Sequence, residues 1–182
     1  FSTIESTRPR RPDTRSYRNP SRCLMDNNTT AWSHSIRSPV HELEDATLVA
    51  RMPQHSANTD VGSAPLVLAV FDGHRGDYIS RTAAERLLEA FDPVPPSEIA
   101  DWSAVMPAVF SRLDTNLRSL ALPGGATAVV ALVLPRNSLV IAHVGDSRAL
   151  WFDRVGSMKH ATEDHRPADE RESARIVRAG HV

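Results

Sequence analysis

Apolar residues in this chain come in short runs that stop abruptly at turn residues. Ala46 to Arg51 (ATLVAR), Pro65 to Phe71 (PLVLAVF) and Gly125 to Leu134 (GATAVVALVL) are aliphatic, β-branched and of strand length. The polar stretch PQHSANTDVGS between the first two predicts a hairpin-like return. Asp77 to Phe91 reads instead as a helix, because Ile79, Ala83 and Leu87 fall four apart and Leu88 and Phe91 widen the stripe. Pro93, Pro95 and Pro96 end it. Ser97 is placed to cap a second helix towards Leu120, with Ile99, Trp102, Val105, Val109, Leu113 and Leu117 on its buried face and a kink or split at Pro107.

Further strands are expected at Leu139 to Val144 and Arg148 to Phe152, joined through Gly145-Asp146-Ser147. Pro135 to Ser138 makes the turn before them. Ala168 to Ala179 reads as a charged helix, closed by Gly180 and laced by pairs among Glu170, Arg171, Glu172 and Arg175. The order β-β-α-α-β-β-β-α has its strands in runs, which argues an α+β fold with mainly antiparallel sheets.

Residues 1–38 are different. They are rich in Ser, Thr, Pro, Asn and Arg, with Arg8, Arg10, Arg11, Arg15, Arg18 and Arg22 close together. Too little apolar surface is available to offset ordering entropy, so a disordered tail or linker is expected, with residues 39–182 as the globular part. The net charge of −1 offers no field for polyanions, so no nucleic-acid partner is expected. Apolar runs fall well short of the ~20 residues a spanning helix needs, so no membrane partner is expected either. Cys23 is the only cysteine, which excludes a disulfide framework and fits an intracellular protein of cytoplasm or nucleus. The chain begins at Phe1, so organelle targeting stays open.

Acidic residues stand at predicted strand ends: Glu44-Asp45 before the first strand, Asp72 after the second and Asp146 in the last tight turn. Hard cations such as Mg²⁺ and Mn²⁺ take oxygen ligands, and Gly73 would let the backbone approach one closely. His74, the next residue, is either a turn histidine or a general acid.

Five segments in order resemble the PP2C-type (PPM) metal-dependent protein serine/threonine phosphatases. They are Leu43-Glu44-Asp45-Ala46, Val70 to Gly76 (VFDGHRG), Gly125 to Val129 (GATAV), Val144 to Ala149 (VGDSRA) and Thr162 to Pro167 (TEDHRP) with Glu172, Arg175-Ile176 and Ala179-Gly180. The resemblance implies a four-layer α/β/β/α sandwich, incomplete at the C-terminus, and hydrolysis of phosphoserine and phosphothreonine in proteins. It implies two Mg²⁺ or Mn²⁺ ions and a weaker third. Asp72 would bridge the two ions; Glu44 and the Gly73 carbonyl would help hold one. Asp45 would orient water, Asp146 would serve the third ion, and His74 would protonate the leaving oxygen. Phosphorylated proteins would be the partners, and a monomer is expected.

Three departures stand out. Arg75 replaces a family glycine. Val40 stands where the family has a phosphate-gripping arginine, and Arg37 is the candidate to substitute for it. The later DGxWD and DN elements, which would supply two more metal-binding aspartates, do not follow the TEDHRP segment within the 182 residues. Residues 1–182 alone are therefore expected to be inactive, and the alternative function is that of an inactive PP2C-like binding or regulatory module.

Overall fold

Alternation along two central strands sorts the core into two unequal faces. The computed structural model describes residues 23–25, 30–33, 35, 42–52, 64–91, 101–134 and 138–181. In chain order the elements are β1 (Cys23–Met25), β2 (Thr30–Trp32), β3 (Ala46–Arg51), β4 (Leu66–Phe71), β5 (Gly73–His74), α1 (Tyr78–Arg86), α2 (Trp102–Arg118), β6 (Gly125–Ala126), β7 (Ala128–Leu134), β8 (Ser138–Val144), β9 (Leu150–Phe152), β10 (Met158–Ala161) and α3 (Glu170–Arg178). The main sheet has the order β3-β4-β7-β8, antiparallel throughout. Ala46 pairs with Phe71, Val70 with Val129, and Val129 with His143.

Val67, Ala69 and Phe71 of β4 point to one side, as period two requires, and join Val130 and Leu132 of β7 in the large core. The helices close this face: Ala83 and Leu87 come from α1 and the turn after it, and Met106, Val109 and Leu113 from α2. The opposite face is thinner. Leu66 packs there with Val49 and with Ala31 of β2.

The apolar stripe from Ile79 to Phe91 is where the sequence placed it, but the helix is shorter. It stops at Arg86, and Glu89–Phe91 tightens into a 3-10 turn, with Ala90 N donating to Leu87 O at 3.1 Å. In α2 the cap is Asp101, whose carboxylate accepts from the Ser103 and Ala104 amides; Ser97 lies outside the described residues. Pro107 does not split this helix. It sits in the second turn on the exposed side, where the freed Ser103 carbonyl can bond water. Glu172 and Arg175 form the anticipated ion pair, and Gly180 takes φ +84° past the end of α3.

Of the expected four-layer sandwich, the described residues show a helical layer on the four-stranded sheet. β9 and β10 form a separate two-stranded hairpin, a pairing that Met158–Ala161 was too short and polar to announce. Its apolar side chains stand open, with Leu150 50% and Trp151 48% exposed, so Trp151 does not pack as a core strand residue. Within the segment read as a tail, β1 and β2 pair and Ala31 is buried.

Candidate active site at the end of strand β4

Asp72 ends β4 with its side chain exposed. The chain then runs directly into β5, which pairs Gly73 with Ala126 and His74 with Gly125 of β6. The single long strand expected from Gly125 to Leu134 is divided at Thr127, whose amide donates to the Asp72 carbonyl at 2.9 Å. That bond holds the end of β4 in place.

Close backbone approach explains Gly73. A β-carbon there would lie 2.5 Å from the Glu44 carbonyl oxygen and 2.9 Å from Ser80 Oγ. Ser80 is fully buried in α1; its hydroxyl donates to the Glu44 carbonyl and also reaches Asp77 O at 3.0 Å. The first turn of α1 thus fixes the approach to β3 against β5. The Glu44 side chain folds onto the same loop, Oε1 accepting from the Gly76 amide at 2.5 Å. Glu42, Leu43, Glu44, Gly76 and Asp77 line a shallow depression of about 260 Å³ with an acidic rim.

Asp45 and Asp72 face each other. Burial first, and then the negative charge of Asp72, push the Asp45 carboxyl above the usual carboxylate range. His74 is exposed, and its ring rests on Gly125: a β-carbon there would meet Cε1 at 2.7 Å and Nε2 at 2.8 Å. Arg75 takes φ +62°, a left-handed conformation that costs a side-chain-bearing residue about 1–2 kcal/mol.

Asp146 belongs to a neighbouring turn. Gly145 takes φ +92° and packs on Thr127, while the Thr127 and Ser147 hydroxyls share a hydrogen bond of 2.5 Å. Thr127 therefore ties the Asp146 turn to the Asp72 backbone. The Asp146 carboxylate is exposed, with Arg166 Nε at 4.0 Å. Behind the turn, His165 N donates to Gly145 O at 2.9 Å, and the His165 and His143 rings lie 4.5 Å apart.

Arg148 grips Asp164 with two bonds of 2.9 Å, and Arg166 adds a third at 3.0 Å. The Arg148 fork holds the Asp164 carboxyl below its usual range, although its side chain is only 8% exposed. A depressed value means the pair stabilises the fold above the unfolded-state value of about 3.9 and stops doing so as pH falls through the folded value. Asp164→Asn is therefore expected to lower the urea midpoint at neutral pH and to flatten its decline in acid. An unchanged acid limb would count against this role.

The structure thus brings Glu44, Asp45, Asp72, Gly73 and His74 to one loop cluster and couples the Asp146 turn to it through Thr127. Arg37 and Val40 lie outside the described residues. Sequence reasoning missed Ser80 and Thr127. Ser80 could have been noticed as a hydroxyl beside the apolar stripe; Thr127 lies inside the GATAV segment, but nothing in that segment announced its tie to Asp72 and Ser147. Hard, mutually repelling oxygen donors at Asp45 and Asp72 fit a divalent cation, whereas the close approach at Gly73 is to the Glu44 backbone and Ser80. The fit is partial: among the described residues no three Asp, Glu, His or Cys side chains are grouped to hold an ion.

Residues 32–182 match the family described as protein phosphatase 2C. The chain is 43% identical over 121 residues to the human "Probable protein phosphatase 1N", covering 63% of this chain and 27% of that protein. It is 32% identical over 147 residues to "Probable protein phosphatase 2C 17" of Arabidopsis thaliana, covering 77% and 48%. It therefore spans between about a quarter and a half of the length of these relatives. Among solved structures, a C. elegans sex determining protein is similar with a TM-score of 0.57 and 30% identity, over 77% of this chain and 35% of that one. Serine-threonine phosphatase 2C from Toxoplasma gondii shares the fold, with a TM-score of 0.55 at 21% identity over 76% and 51%. With the match extending from residue 32 to residue 182, this chain belongs to the protein phosphatase 2C family.

Proposed function

We propose that the protein carrying this domain removes phosphate from phosphoserine and phosphothreonine in intracellular proteins, acting as a monomer with Mg²⁺ or Mn²⁺. The observation that carries the reading is the approach of Asp45, before β3, to Asp72, which immediately precedes Gly73 and His74, in a chain of this family. Asp72, Glu44 and the Gly73 carbonyl are the groups that would hold two ions, with Asp45 orienting water beside them and Asp146 serving a weaker third. Ions held there would neutralise the substrate's charge and make water more acidic.

The chain's own residues then have separable tasks. Asp45, facing Asp72 at the start of β3, is placed to orient a nucleophilic water. His74, with its ring held by Gly125, donates a proton to the departing serine or threonine oxygen. Phosphoryl transfer demands mainly positioning and charge neutralisation, so no protein nucleophile is needed.

The absence of a three-residue ligand group among the described residues favours a second reading, a non-catalytic binding module. An assay separates the two. With a phosphothreonine peptide and Mn²⁺, the complete protein is expected to release phosphate, to lose that activity in EDTA and to regain it when Mn²⁺ is restored. Peptide binding without phosphate release would support the module instead.

A further inference from the structure

The geometry points to Arg75 as the residue that grips the substrate phosphate at this site, a role that rests on the phosphatase reading. The cluster is acidic: Asp45 faces Asp72, and Glu42, Glu44 and Asp77 line the depression beside them. A phosphate dianion approaching it needs a cation from the protein as well as any bound ion. Most nearby guanidinium groups are already engaged. Arg81 pairs with Asp77 at 3.0 Å, Arg148 is committed to Asp164, and Arg166 lies between Asp164 and Asp146. Arg75 is exposed and has no ion-pair partner among the described residues.

Its position is the second argument. Arg75 follows His74, the proposed proton donor, and precedes Gly76, whose amide binds Glu44. An arginine stem is long enough to bring its charge in front of its neighbour, and its planar fork matches two phosphate oxygens. The backbone argues the same way. At φ +62° glycine would be the relaxed choice, and strain of this kind persists where a side chain has work to do.

The test uses the complete, Mn²⁺-loaded protein and a phosphothreonine peptide, with inorganic phosphate as competitive inhibitor. Arg75→Gly is expected to raise both KM and the phosphate inhibition constant about tenfold, equivalent to about 1.4 kcal/mol, with a smaller change in kcat. Arg75→Lys, which keeps the charge and loses the fork, should recover part of the loss, and Arg75→Glu should exceed it. Because glycine relieves the backbone, Arg75→Gly should melt no lower than the wild type, which separates lost binding from lost structure. An active wild type with unchanged KM and inhibition constant in Arg75→Gly overturns the role of Arg75 alone. A wild type that neither turns over the peptide nor binds inorganic phosphate by ³¹P NMR overturns the phosphatase reading, and this inference with it.

Discussion

Asp72→Asn is expected to cut Mn²⁺-dependent phosphate release by about a thousandfold in the complete protein, while raising the melting temperature of the metal-free protein. The two effects have one cause. Asp72 carries a charge that the metal-free fold does not need: it faces Asp45, which burial and that same charge hold above the ordinary carboxylate range. A carboxyl with a raised folded value is destabilising at neutral pH, and the cost is relieved as pH falls through that value. Asparagine removes the repulsion and keeps the size. It also removes a ligand charge, and several kcal/mol of transition-state stabilisation lost at about 1.36 kcal/mol per tenfold amounts to about three orders of magnitude. Calorimetry with and without Mn²⁺, beside the activity assay, checks both halves. The wild type should gain melting temperature on binding Mn²⁺ and the variant should not. A variant that keeps its activity would remove Asp72 from the mechanism. One that melts lower without metal would show that the carboxylate pair is not repulsive.

The same pair shows what the sequence could and could not disclose. Asp72 was legible as the residue that ends an apolar, β-branched run of strand length, and its part in a site only through the resemblance carried by VFDGHRG. The helix stripe Ile79, Ala83, Leu87 was legible for the same reason, since period and burial are set by neighbours in the chain. Contacts across many residues were not. The β5–β6 pair has two residues on each strand, too few for any pattern, and exists because Thr127 N is bound to Asp72 O. Ser80 and Glu44 are 36 residues apart, and nothing near either announces the bond between them. The β1–β2 pairing was hidden by composition: the Arg- and Ser-rich stretch includes Ala31, which is buried against Val49 and Leu66. The helix around Pro107 shows the opposite failure, a local rule read too strongly at an exposed site that tolerates it.

Gly73→Ala is expected to destabilise the fold by about 3 kcal/mol, lowering the melting temperature by about 9 °C. The added methyl meets a backbone atom, the Glu44 carbonyl oxygen, at 2.5 Å, and meets Ser80 Oγ at 2.9 Å. Neither can retreat cheaply. The carbonyl is held by the Ser80 hydroxyl, which is fully buried in α1, and β3 begins two residues later. To make room, β5 must part from the Glu44 segment, which loosens His74 from Gly125 and Gly76 N from Glu44 Oε1. Stability and turnover should therefore fall together. Gly76→Ala is the matched control. Its β-carbon meets nothing within 4 Å, so at φ +107° it suffers backbone strain alone and should be the milder substitution. If thermal melts rank Gly76→Ala as the more damaging, then conformational freedom matters more in this loop than the close approach of its two backbones, and the packing account of Gly73 fails.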